Sequence, residues 1–115
     1  MKWTPLGETE LSTRIAEGIG VMEPQARSLW NLIRVRPVKW ELHPWGDEGG
    51  GFWIVGILGT QVVWFNDIED GFNVSCYETP GVIAEYRCNQ DELHHTMHAL
   101  LRQIEMREVP AGPGR

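Results

Sequence analysis

Phe52-Trp53-Ile54-Val55-Gly56-Ile57-Leu58-Gly59-Thr60-Gln61-Val62-Val63-Trp64-Phe65-Asn66 is the stretch on which the fold turns. Two runs rich in aromatic and β-branched residues flank Gly59-Thr60, a two-residue turn with glycine first. That pattern predicts a β-hairpin, 52–58 against 61–66. Counting back from the turn pairs Leu58 with Gln61, Ile57 with Val62 and Val55 with Trp64. One face then carries Trp53, Val55, Ile57, Val62 and Trp64; the other carries Phe52, Ile54, Leu58, Val63 and Phe65. Both faces are apolar, whereas a half-exposed antiparallel sheet alternates apolar with polar. The hairpin therefore needs cover on both sides, from helices, a second subunit or a ligand.

Outward from the hairpin the pattern continues as a meander. Asp67 to Gly71 is an acidic turn, 72–77 a strand, Thr79-Pro80-Gly81 a turn and 82–87 another strand. Upstream, 38–43 alternates apolar with polar and reads as the first strand. The loop 44–51 carries Trp45, Asp47, Glu48 and three consecutive glycines, Gly49 to Gly51, a flexible lead-in to the hairpin. Before it, Leu11, Ile15, Ile19 and Met22 recur at helical spacing over 9–22, with Gly18 and Gly20 weakening the end. Pro24 opens a second helix with the stripe Ala26, Leu29, Trp30 and Ile33, closed by Pro37. Asn89, with Glu92 three residues on, forms a capping box for a last helix whose stripe is Leu93, Met97, Leu100, Leu101 and Ile104. The expectation is one α+β domain over 1–106: two N-terminal helices, a five-stranded antiparallel meander and one C-terminal helix packed on the sheet. The segment 107–115, with two prolines and two glycines, is expected to be a flexible tail.

At 115 residues the chain can bury a core without a metal or disulfide staple. Its formal net charge of −6 argues against nucleic acid, which demands clustered Lys and Arg. The apolar run 52–58 is too short to cross a bilayer, and no targeting segment is evident, so a cytoplasmic location is expected. If Tyr77 opposes Val82, Cys76 lies too far from Cys88 for a disulfide, and Cys76 reads as a small core residue.

No catalytic set emerges: no serine or cysteine has a recognisable base, and no pair of carboxylates is placed across a cleft. Two clusters remain. The first is acidic: Asp67, Glu69 and Asp70 in one turn, with Asp47 and Glu48 brought to the same end by the hairpin. With Trp45 as an anchor and Trp53 and Trp64 on the aromatic sheet surface, these eight residues form a candidate surface for a basic protein partner. The bland alternative is a solvated turn and a tryptophan folded over the sheet edge. The second is His94 and His98, one helical turn apart and sharing a face with Asp91, a spacing at which two imidazoles ligate one metal. Histidines bordering the apolar stripe explain the same spacing without a metal, and no cofactor is expected.

The segments Gly51-Phe52-Trp53-Ile54-Val55-Gly56, 63–73 (Val-Trp-Phe-Asn-Asp-Ile-Glu-Asp-Gly-Phe-Asn) and Cys88-Asn89-Gln90-Asp91-Glu92-Leu93 resemble small uncharacterised bacterial α+β proteins. In size, acidity and tryptophan content the chain is also similar to immunity proteins of toxin systems and to gene-cassette products. The resemblance spans 36–105 and implies a toxin-neutralising role in which the acidic residues cover a basic site; it carries over no site residue. A non-enzymatic protein-binding module is thus the first expectation. The alternatives are a small-ligand or metal-binding enzyme using the His94/His98 face, and a homodimeric structural protein.

Overall fold

The computed structural model describes residues 3–111 and is α+β. Helices α1 (Glu8–Gly20) and α2 (Pro24–Ile33) lead into strands β1 (Arg34–Trp40), β2 (Phe52–Leu58), β3 (Gln61–Asn66) and β4 (Gly71–Cys76). Helix α3 (Leu93–Ala111) follows. The strands form one antiparallel sheet in the order β1-β2-β3-β4. The tail expected at 107–115 falls partly on α3 and, from 112, outside the described residues. Among the described residues no helix is long and apolar enough to cross a membrane.

The hairpin keeps the expected register only near its turn. Leu58 pairs with Gln61, Ile57 with Val62 and Gly56 with Val63; then Ile54, not Val55, pairs with Trp64. Val55 is the extra residue of a β-bulge, so Val55 and Gly56 lie on the same side of β2. A Cβ at Gly56 would lie 3.4 Å from Ile33 and Trp30, in ordinary contact with α2, so this position faces the helices as Val55 does. The bulge exchanges the faces beyond it. Val55, Val63, Phe65 and Phe72 meet the helices, with Trp53 and Leu58 at the margin. Phe52, Ile54, Val62 and Trp64 share the opposite face with Trp40 and Leu42. Trp53 and Trp64, expected on one face, are therefore on opposite faces.

Among the described residues, helices cover one face of the sheet. Leu11 and Ile15 of α1, Ala26, Trp30 and Ile33 of α2, and Leu93, Met97 and Leu100 of α3 pack there. Gly18 is where α1 crosses α3: a Cβ at Gly18 would lie 2.8 Å from that of Leu93. The glycine read as weakening the helix is what lets the two helices approach.

The opposite face is covered by irregular chain. Trp3, Ile68, Tyr77, Ile83 and Tyr86 close over it. The fifth strand expected at 82–87 does not form; Val82 makes a lone bridge to Glu41 and Asp91 another to Phe72. Side chains of the sheet replace its ladder. Asn66 Nδ2–H donates to the Arg87 carbonyl at 2.8 Å. Asn73 Nδ2–H donates to the Asn89 carbonyl at 3.2 Å, and Asn73 Oδ1 accepts the Asn89 N–H at 2.9 Å. Ser75 Oγ–H donates to the Glu85 carbonyl at 2.8 Å. Asn66, Asn73 and Ser75 are all buried, and burial of such groups requires partners of this kind. Asn89 does not cap α3, which begins at Leu93; the Asn89 N–H and carbonyl bond to Asn73.

Two further boundaries move. The second helix ends at Ile33 rather than near Pro37, and Pro37 lies inside β1. β1 is an edge strand, where a residue lacking N–H is tolerated on the outer side. Cys76, read as buried, is exposed, as is Cys88; both are free thiols.

Candidate functional site

The loop after Leu42 is a fixed corner rather than a flexible lead-in. Gly46 N–H donates to the Leu42 carbonyl at 2.8 Å, and Gly51 N–H to the Gly46 carbonyl at 2.9 Å. Gly51 has φ +102°, and a Cβ there would strike the Trp40 carbonyl at 2.3 Å. This corner fixes Trp45, whose ring stacks on Tyr86 with centroids 4.5 Å apart and planes 15° from parallel. Trp45 is nonetheless 45% exposed. Asp47 and Glu48 occupy the short 3-10 turn that follows, and both are exposed, as is Glu41 before it. Asp47 Oδ2 lies 2.6 Å from His43 Nδ1.

Trp53 and Asp67 hold the N-terminal segment. The Leu6 N–H donates to Asp67 Oδ2, and Trp53 Nε1–H donates to the Leu6 carbonyl at 2.8 Å. Burial raises the Asp67 carboxyl above its ordinary value, against the lowering effects of the Leu6 and Asp67 backbone N–H groups and of Lys39. Lys39 sits 5.1 Å over the Trp53 ring and donates to the Gly49 carbonyl at 2.7 Å. The loops around Asp47 and Asp67 are thus linked through Lys39 and the segment 3–6, and a cation stands in what reads from sequence as a continuous acidic patch.

Trp64 is fully buried, its Nε1–H donating to Ser75 Oγ at 2.9 Å. It is not accessible to a partner. Asp70 takes a left-handed backbone (φ 63°) and pairs with Arg14 at 2.7 Å. Glu69 is half-buried, its Oε1 3.5 Å from Gln90 Nε2.

A cavity of about 540 Å³ opens between α1, the β3–β4 turn and the start of α3, walled by Glu17, Asp70, Asp91, Glu92 and His94 among others. The expected trio of Asp91, His94 and His98 is not what converges here. His98 Nε2 accepts the Glu23 N–H at 3.2 Å, one residue before α2. The donors that gather are those of Glu92, His94 and His95, all within 4.8 Å of one another. Burial depresses the His94 pKa, with His95 and His98 acting in the same direction and Glu92 against them.

Sequence reasoning missed Tyr86 as the platform for Trp45, Arg14 as the partner of Asp70, and His95 beside His94. Only the last left a trace, as adjacent histidines at the head of an apolar stripe. No known family, curated protein or solved structure matches the chain.

Proposed function

We propose that this chain is a protein-binding module. Its contact surface lies on the side of the sheet covered by irregular chain and is centred on Trp45, Glu41, Asp47 and Glu48. The observation that carries the reading is Trp45: its ring is stacked on Tyr86, yet remains half in solvent. A tryptophan already held in one orientation gives up little side-chain entropy on binding, and such aromatics dominate interface energetics. The flanking carboxylates and the net charge of −6 favour a basic partner and fast, salt-sensitive association. Trp53 and Asp67 serve as the clamp on Leu6 and Trp64 as core, so of the acidic and aromatic residues read from sequence, Trp45, Asp47 and Glu48 carry the contact. A neutraliser of a basic toxin is one concrete form of this activity.

The test is affinity capture from the native host's lysate at low and moderate salt, with wild type beside an Asp47→Lys, Glu48→Lys variant. A single stoichiometric basic protein, released by salt and lost in the variant, supports the reading. Capture indifferent to both salt and charge reversal contradicts it.

A further inference from the structure

We propose that the first turn of α3 binds a divalent transition-metal ion, Zn²⁺ being the natural occupant, between Glu92, His94 and His95. One donor atom from each residue lies within 4.8 Å of the other two. His94 Nδ1 stands 3.9 Å from Glu92 Oε1, and the His94 and His95 ring centroids are 4.0 Å apart. Neighbouring residues on a helix diverge by about 100° and do not ordinarily face each other, so the convergence of these two rings is not a by-product of helix geometry.

His94 Nδ1 supplies a second, independent observation. It is buried and has no hydrogen-bond partner. A buried polar atom left unpaired costs about 1–3 kcal/mol, and a bound ion would satisfy it. Two imidazoles and a carboxylate are a donor set suited to zinc, with ligand distances of about 2.0–2.2 Å. The donors must therefore close by about an ångström from their present spacing. Glu92 and His95 are both exposed and free to rotate inward.

The surroundings favour a cation. Helix α3 presents its positive end here, which opposes one. Against that stand Glu17, Asp91 and Glu92 on the adjoining cavity, where the Arg14 guanidinium is already paired with Asp70 at 2.7 Å. Glu92 and His94 line this cavity, so a fourth coordination position would open into it and admit water or a small anion. His98 is not a ligand in this arrangement: its Nε2 holds the Glu23 N–H and its ring stands 5.9 Å from that of His94.

The experiment is calorimetric titration of the chelator-stripped full chain with ZnCl₂, alongside His94→Ala, His95→Ala and His98→Gln. The expected result is saturation at one zinc per chain. His94→Ala and His95→Ala should each weaken binding about tenfold or more, the scale on which even outer-shell changes act, and His98→Gln should leave it unchanged. Because His95 is exposed, His95→Ala is the variant that keeps its fold, checked by circular dichroism. Zinc should raise Tm in wild type and not in His95→Ala. No saturable binding, or stoichiometric binding that survives His95→Ala, would overturn the assignment.

Discussion

The two faces of the sheet are both apolar, and they are covered by different means. On one, three helices bring regular stripes of Leu, Ile, Ala and Met against Val55, Val63 and Phe65. On the other, a segment without regular structure lies over Trp64 and Phe52, held by the side chains of Asn66, Asn73 and Ser75. Helical cover satisfies its own backbone and needs only apolar contact. Irregular cover must have each buried backbone group paired from outside. The comparison teaches where specificity is stored: in packing on the helical side, and in a few polar side chains on the other. The proposed contact surface lies on the second side, among loops carried by the sheet.

The largest expected effect comes from the centre of the irregularly covered face. Trp64→Ala should destabilise by about 3–5 kcal/mol in urea denaturation, because it leaves a large cavity and orphans Ser75 Oγ as an acceptor. A loss under about 1 kcal/mol would mean that this face is not a packed core at all. Asn73→Ala comes next. It removes both bonds to the Asn89 backbone and should cost about 1–3 kcal/mol. Hydrogen exchange should show the loosening confined to 82–91, with β2 and β3 still protected. If protection fell equally across the sheet, the two covers would be one cooperative unit.

These two residues also show what was legible in the sequence. The hairpin turn, the stripes of α1 and α3 and the antiparallel order follow from periodicity and turn chemistry, and the structure has them. The bulge at Val55 was not legible, since Val55-Gly56 fits an unbroken strand as well as a bulged one. Nor was the fate of 82–87, whose alternation reads as strand. Its carbonyls are taken by side chains of the sheet, that of Glu85 by Ser75 Oγ and that of Arg87 by Asn66 Nδ2. Both partners lie ten or more residues away along the chain, beyond the reach of local pattern. At the candidate site, Trp45, Asp47 and Glu48 were found as surface residues. Trp53, Trp64 and Asp67 were placed among them because composition does not distinguish an exposed aromatic from a clamped one.

A smaller effect separates the clamp from the surface. Asp67 has its carboxyl raised above 3.8 chiefly by burial. Between the ordinary value and the raised one the folded chain holds the extra proton, so this group's contribution falls as pH rises through that window. Asp67→Asn should remove that slope from urea midpoints measured across the acid range. His94, depressed below 6.5 chiefly by burial, acts with the opposite sign: there the unfolded chain protonates first, and stability is lost as pH falls through the folded value. An unchanged acid profile in Asp67→Asn would show that the clamp on Leu6 carries no buried charge.

The claim that the irregularly covered side is the contact surface is tested most directly by one exposed apolar residue from each side. Trp45 is 45% exposed on that side and Leu32, on α2, is 83% exposed. The measurement is capture of a basic protein from the native host's lysate by Trp45→Ala and Leu32→Ala proteins of verified fold, at equal concentration and low salt. The account predicts capture abolished by Trp45→Ala and undiminished by Leu32→Ala. Full capture by Trp45→Ala, or its loss in Leu32→Ala alone, would contradict it.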